Sequence, residues 1–344
     1  MDQYNILASW RKDELYWTNT RLTQYISSRD DALNLLWGLA RGEGETITRD
    51  RRLASVSSTD AADTTHTLGV SYKFIDNGSD AAFNHAILFA NQATSFQIQA
   101  GNQQDPKIFE GFTSLDALKA FIATVQPNSV EPQRGDGYEV GIRFDLFQRR
   151  LRVNALYFDQ TRENIARSFF VRASIVPGVD AEDGLATYLL AGGVENSKGV
   201  EFSFDFRPIR NLVVIGEAMI SKGEVEANPE APEEIGFGLV RSPENMFGAW
   251  IRYDFSDTVV SGLSVGLGAS YNSSARIRPQ VPDRFRVSDD YTNVRAMIRY
   301  KFRAFDMNNE LGLNIDNLLD DEYTQEDNFL SEPRLFKLTY STVF

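Results

Sequence analysis

The sequence predicts an all-β protein, specifically an antiparallel transmembrane β-barrel, and three observations lead to that fold class. Several segments carry an apolar residue at every second position over roughly eight to ten residues, which is the period of a strand. The connections between these segments alternate between short and long. An aromatic residue precedes each of five short connections, namely Phe74, Phe147, Phe206, Phe255 and Phe302. Membrane barrels combine strands of about 9 to 11 residues, tight turns at one end, long loops at the other and aromatic girdles.

The strand "GYEVGIRFDLF" shows the pattern, because Tyr138, Val140 and Ile142 alternate with Glu139 and Arg143. The same alternation recurs along the chain and predicts about twelve strands. Their approximate ranges are 13–25, 66–74, 85–97, 137–147, 150–161, 197–206, 211–222, 245–255, 262–272, 291–302, 310–319 and 335–344.

The predicted connections fall into two classes. Short ones include those near 148–150, 207–212, 254–263 and 301–311. Long ones, rich in Gly, Pro, Asn, Asp and Ser, lie near 99–135, 162–196, 223–243, 272–290 and 320–333. In the segment 27–45, Ala32, Leu35, Leu36 and Leu39 have helical spacing, which predicts a short helix within a long outer loop.

A soluble β-sandwich is the competing fold, since its strands also alternate. A sandwich predicts strands of about five or six residues and no rule of short and long loops, so the barrel fits better.

The bulk composition excludes other classes. A net charge of −13 argues against nucleic acid as a partner, and the absence of cysteine removes disulfides and thiolate sites. Only two histidines are present, neither in a catalytic motif, so we expect no enzyme, no metal and no cofactor.

Four stretches resemble the C-terminal half of TonB-dependent outer-membrane receptors, most closely the siderophore-receptor branch. They are "EPQRGDGYEVGIRFDLFQRRLRVNALYFDQTREN", "VENSKGVEFSFDFRPIRNLVVIGEAMISKGEV", "DDYTNVRAMIRYKF" and "LGLNIDNLLDDEYTQ" with "EPRLFKLTYSTVF". The sequence "SEPR" at 331–334 departs from the usual "GxPR" of the family. One such motif is weakly specific, whereas four in order at the family's spacing form a specific signature.

The resemblance implies a plug domain before a barrel of about 22 strands. The plug and the energy-coupling box have no counterpart here, so residues 1–344 are expected to be a partial barrel and a fragment of a longer receptor. Within it, residues 1–65 would hold a first strand and the loop with the short helix.

The implied function is active transport of a ferric siderophore across the Gram-negative outer membrane. The implied partners are outer-membrane lipid, the TonB complex and the barrel assembly machinery. The alternatives are a smaller closed barrel, acting as a passive porin or structural protein, and a truncated receptor that binds without transport.

Candidate site residues fall into three groups. Arginines and aromatics of the outer loops are the candidates for holding an anionic ferric chelate through charge-assisted and cation–π contacts, although pairing or packing within the protein is the alternative: Arg276, Arg278, Arg284, Phe285, Arg286, Phe169, Phe170, Tyr188 and Phe237. Charged residues opposite the apolar positions are expected to face the lumen and contact the plug: Glu139, Arg143, Glu201, Asp205, Arg252, Arg295 and Arg299. Phe344 resembles the terminal aromatic that the barrel assembly machinery recognises.

Overall fold

The computed structural model describes residues 5–12, 18–27, 32–50, 55–99, 101–126, 128–180, 184–256, 260–277, 287–325 and 329–343. Fourteen strands dominate this part of the chain. They are β1 (Asn5–Lys12), β2 (Thr18–Ser27), β3 (Leu33–Asp50), β4 (Ser55–Asp76), β5 (Phe83–Gln97), β6 (Gln133–Leu146), β7 (Leu151–Arg172), β8 (Gly184–Phe206), β9 (Leu212–Ala227), β10 (Asn245–Phe255), β11 (Leu263–Asn272), β12 (Tyr291–Ala304), β13 (Met307–Asp316) and β14 (Leu335–Val343).

Helical structure is confined to the connections. Helix α1 (Leu115–Ile122) and a 3-10 turn at Pro106–Phe109 lie between β5 and β6. Further 3-10 turns occur at Ala173–Ile175 and Pro232–Glu234. Across the described ranges, no helix has the length and apolar character needed to cross a membrane.

The strands form one antiparallel sheet in which each strand pairs with its neighbours in sequence. Between the described residues of β1 and β14 there is no pairing, so the sheet is not closed there. This single sheet confirms the predicted all-β, up-and-down architecture and is incompatible with the two packed sheets of a sandwich. The described residues form fourteen strands, two more than the approximate number that was predicted.

The strand register separates apolar from charged residues. Tyr253, Val265, Ile298, Leu313 and Leu338 lie opposite one another on five consecutive strands, and most of these side chains are exposed. We call this side of the sheet the apolar face. The opposite side, the polar face, carries all seven charged residues predicted to face the lumen. An exposed apolar surface of this extent is typical of lipid contact.

Two sequence predictions were wrong about local structure. Residues 33–50 form β3 instead of a short helix, because Leu33, Leu35 and Leu39 join the apolar face opposite Tyr72, Val70 and His66. The predicted long loop at 162–196 is mostly strand, since β7 and β8 extend to 22 and 23 residues. A bilayer needs only about 9 to 11 residues of strand, so this hairpin projects beyond the apolar face at the long-loop end.

Short connections lie at the opposite end of the sheet. The tightest joins β12 to β13 through Phe305 and Asp306, both in the left-handed region with φ of 53° and 59°. Two consecutive left-handed residues define the turn type whose twist matches that of a β-hairpin. Among the fully described connections, further short turns at this end span 77–82, 147–150 and 207–211.

Candidate functional site

The long-loop end carries a separate folded layer. The connection between β5 and β6 packs its helix α1 against the projecting part of the β7–β8 hairpin. Leu118 and Ile122 point into this contact because they are four residues apart on one helical face. The buried members of this outer core are Phe109, Leu118, Ile122, Phe169, Val171, Val176, Ala186 and Tyr188.

An aromatic cluster forms the centre of the outer core. The rings of Phe109 and Tyr188 stack with centroids 4.9 Å apart, and Phe169 lies 5.9 Å from Tyr188. Burial raises the pKa of the Tyr188 hydroxyl above its usual value. Phe169 and Tyr188, both candidates for chelate binding, therefore occupy packing positions. Phe170 is different, since 58% of it is exposed.

Polar contacts fix the ends of this layer to the hairpin. The Gln99 amide donates to the carbonyl oxygen of Asn164 (2.7 Å) and accepts from the backbone N–H of Ala166 (2.8 Å). Farther along the hairpin, the Glu195 carboxylate lies between Arg162 and Arg167, with 2.9 Å to the Arg167 guanidinium. The connection between β5 and β6 is therefore held in a fixed position on β7.

A cavity of about 1120 Å³ opens between this layer, the β7–β8 hairpin and the β9–β10 connection. Its charged lining consists of two basic residues and four acidic ones: Lys107, Arg172, Asp105, Glu110, Glu131 and Glu230. Phe170 and Pro229 add exposed apolar surface, while Gln103, Gln104 and Asn128 add amide groups. Its volume is at the upper end of small-molecule sites.

Arg276 lies outside this cavity, in a contact between two loops. Only 8% of the residue is exposed, and its guanidinium donates to the Gly238 carbonyl at 2.9 Å. The same group lies 3.8 Å from the buried Glu234 carboxylate and 5.2 Å from the Phe237 ring centroid. Arg276 thus pairs within the protein, which was the alternative to its holding a ferric chelate. Arg278, Arg284, Phe285, Arg286 and Phe344 lie outside the described residues, so their roles stay predictions.

Several charged side chains of the polar face form ion pairs with one another. Arg252 pairs with Asp254 (3.2 Å), Arg295 with Asp316 (3.5 Å) and Arg299 with Glu310 (3.2 Å), while Glu139 accepts from Asn91 (3.0 Å). These pairs occur within a strand or between neighbouring strands. Contact with a plug stays a prediction for all seven predicted residues.

A second cavity of about 350 Å³ lies on the polar face and was not predicted from the sequence. Trp250 lies there across Gly266 and Gly268, where a side chain would overlap its ring. Glu217, Asn293 and Arg295 also line this cavity. One signal was available, since Trp250 takes a polar-face position in "AWIRYDF". Lys107 and Arg172 of the outer cavity were missed as well, because no local pattern marks residues that only the loop packing brings together.

Among the side chains that the structure describes, no group of three or more His, Asp or Glu is placed to hold a metal ion. The outer cavity is lined mainly by polar side chains, with the aromatic rings of Phe169 and Phe170 among them.

Comparison with known proteins agrees with the architecture. A family model described as "TonB dependent receptor-like, beta-barrel" matches residues 5–318. The ferrichrome outer membrane transporter/phage receptor of Escherichia coli is 25% identical over 197 residues, which are 57% of this chain and 24% of that protein. The ferrioxamine B receptor of Salmonella typhimurium is 25% identical over 207 residues, 59% of this chain and 26% of that protein. The chain thus matches about a quarter of the length of these curated relatives.

Solved structures show the same fold. The siderophore receptor PiuA of Acinetobacter baumannii superposes with a TM-score of 0.70 and 17% identity, over 95% of this chain and 43% of that one. BauA, the ferric preacinetobactin receptor of the same organism, gives a TM-score of 0.66 and 18% identity, over 95% and 42%. The single up-and-down sheet, its lipid-type apolar face and the family match lead to one conclusion. The chain belongs to the TonB-dependent receptor family of the Gram-negative outer membrane, and its residues 5–318 match the β-barrel region of that family.

Proposed function

We propose that this barrel belongs to a receptor that takes up a ferric siderophore across the outer membrane, energised through the TonB complex. The family match over residues 5–318 is the observation that carries the proposal. The cavity of about 1120 Å³ at the long-loop end supports it, since long loops are on the extracellular side of such barrels. A siderophore arriving from outside would meet this recess first.

The charge of the cavity favours one class of chelate. Two basic side chains face four acidic ones, so the lining is acidic overall. A ferric catecholate carries several negative charges, whereas hydroxamate groups only neutralise the iron and leave a neutral or cationic complex. Like charges repel across a partly desolvated site, so we infer a neutral or cationic ferric hydroxamate. The names of two relatives, a ferrichrome transporter and a ferrioxamine B receptor, are consistent with this class.

Energy coupling is the second part of the proposal. In the complete receptor a plug would occupy the lumen and connect to TonB, and the charged polar face would form the wall against it. The barrel assembly machinery would insert the protein. The passive alternative, a closed smaller barrel, requires β1 to pair with β14, and no such pairing exists between their described residues.

Whole-cell uptake tests the transport proposal. A receptor-deletion strain would carry the complete gene that contains this sequence, and uptake of radioactive iron would be followed from ferric hydroxamates and ferric catecholates. We expect uptake from a hydroxamate, and its loss in a strain without TonB. Equal uptake without TonB would indicate a passive pore, and uptake from catecholates alone would contradict the charge argument.

A matched pair of variants tests the location of the site. Phe170 and Phe305 are both exposed phenylalanines, but only Phe170 lines the outer cavity. Phe170→Ala should weaken ferric hydroxamate binding about tenfold, since an aromatic anchor in a binding site contributes on the order of 1–2 kcal/mol. Phe305→Ala, at the opposite end of the sheet, should leave the affinity unchanged. Equal affinities for the two variants would place the ligand elsewhere.

A further inference from the structure

Two neighbouring short turns form a surface that the transport function does not use. The β6–β7 turn contains "FQRR" and the β8–β9 connection contains "RPIRN". Together they supply four arginines and two large apolar side chains, in a chain whose net charge is −13. We call this surface the arginine patch, and its members are Phe147, Arg149, Arg150, Arg207, Ile209 and Arg210.

Direct contacts join the two turns into one surface. The Arg150 guanidinium donates to the carbonyl oxygen of Pro208 at 3.2 Å. The backbone N–H of Arg207 donates to the carbonyl oxygen of Arg150 at 2.7 Å. Arg150 and Arg207 are thus held side by side.

The backbone of the first turn is held in an unusual conformation. Phe147, Gln148 and Arg149 all have positive φ, of 53°, 61° and 61°, which is rare for three successive residues other than glycine. The fully buried Asn84 stabilises this shape, because its side-chain oxygen accepts from the Arg149 backbone N–H at 2.9 Å. The N–H of Phe147 also donates to the Ala82 carbonyl at 2.7 Å. Strained backbone that its surroundings maintain is frequent at functional sites.

The arginine patch begins where the apolar face ends. Leu146, Leu151 and Phe206 form the last apolar row across β6, β7 and β8, and the turns follow directly. Phe147 is 52% exposed and Ile209 is 53% exposed, although both are large and apolar. This places the patch at the boundary between hydrocarbon and water, where amphipathic groups bind the lipid interface.

The arginines have capacity for a further anionic partner. Among the described residues, no carboxylate lies within ion-pair distance of Arg150 or Arg210. Arg207 is paired with Asp205 at 3.2 Å, but both side chains are largely exposed. Arg149 contacts the His85 ring nitrogen at 2.7 Å, and the other ring nitrogen of His85 lies 3.0 Å from the Asp76 carboxylate, so Arg149 has an acidic group behind it. The local surface therefore carries positive charge beside exposed apolar groups.

We propose that the arginine patch binds the phosphate headgroup of an anionic phospholipid in the periplasmic leaflet of the outer membrane. Short turns of such barrels lie on that side. Guanidinium groups recognise phosphate oxygens in a bidentate manner, and Phe147 and Ile209 contact the adjoining acyl region. An arginine near an anionic lipid surface strengthens binding roughly fivefold.

Lipid titration of the purified full chain in an uncharged detergent tests the proposal, with native mass spectrometry counting the lipids bound. The probes are phosphatidylglycerol, cardiolipin and the zwitterionic phosphatidylcholine. Arg150→Gln with Arg210→Gln should weaken phosphatidylglycerol and cardiolipin binding roughly 25-fold and leave the weak phosphatidylcholine binding unchanged. The control pair, Arg241→Gln with Arg334→Gln, removes the same charge at the long-loop end and should bind like the wild type.

Arg210→Gln alone is the second variant, because Arg210 makes no described side-chain hydrogen bond whose loss would disturb the turn. It should weaken anionic-lipid binding roughly fivefold. Equal lipid binding by the patch and control variants would overturn the proposal. So would displacement of the lipid by inorganic phosphate alone, or by an acidic peptide in preference to lipid, since the latter would identify a protein-docking surface. None of these readouts depends on iron uptake, so the two proposals fail independently.

Discussion

The outer core predicts a localised effect of Phe109→Ala. Phe109 is 1% exposed and its ring contacts Phe121, Phe169 and Tyr188 at centroid distances of 5.9, 6.2 and 4.9 Å. Truncating a buried phenylalanine costs about 3–5 kcal/mol, from lost burial and from the cavity that remains. The three neighbouring rings belong to the β5–β6 connection and the β7–β8 hairpin, and their packing leaves little room for them to move into that cavity. We therefore expect a loss of about 4 kcal/mol in the stability of this layer.

Hydrogen exchange measured by mass spectrometry reports this loss segment by segment. About 4 kcal/mol corresponds to almost a thousandfold faster exchange for amides of α1 that open with the layer. Amides of β10 to β14 should keep their protection, because no described residue of these strands belongs to the outer core. Phe170→Ala is the control, since this neighbouring side chain is largely exposed. Equal protection of α1 in the two variants would refute the separate core, and deprotection of β10 to β14 would refute its independence from the sheet.

Two further substitutions test other contacts. Glu234→Gln should remove the buried negative charge 3.8 Å from the Arg276 guanidinium, at a cost of about 3 kcal/mol, and proteases should cleave residues 228–244 faster. Adding Arg276→Met should restore most of the resistance, and no recovery would contradict the pairing. Gly266→Ala should displace the Trp250 indole, because a Cβ there lies 2.5 Å from its Cζ2 atom, whereas Gly78→Ala meets nothing within 4 Å. A shift of tryptophan emission in the first variant and not in the second is expected, and identical spectra would argue against the close packing.

The period-two pattern predicted most strands because one side chain in two has to meet lipid. β10, β11 and β12 begin and end within two residues of the prediction. The pattern failed where both faces are apolar, as in "LNLLWGLA" of β3, whose leucines also fit helical spacing. It failed again in the projecting part of β7 and β8. There the side chains pack on a loop instead of on lipid, so local alternation carries little information.

The candidate site was less predictable than the fold. Arginine clustering identified residue 276 as a ligand candidate, but its guanidinium contacts Glu234 and Gly238. Helix α1 was not predicted, although Ser114 precedes Leu115 in the manner of an N-terminal capping residue. The cavity depends on how three connections meet, and none of them encodes the others' positions. Long loops positioned by a rigid scaffold are where sequence patterns inform least.

The strictly sequential strand order has a consequence for how barrels of this type change size. Since each described strand pairs only with its neighbours in the chain, one complete hairpin can be removed or duplicated and the flanking strands can still pair. Adding or removing an even number of strands preserves both the direction of the next strand and the end of the sheet at which the long loops emerge. A single strand would reverse every connection that follows, placing recognition loops on the wrong side of the membrane. The circumference of such a barrel can therefore vary in steps of one hairpin, whereas the side of the membrane that carries the long loops cannot change.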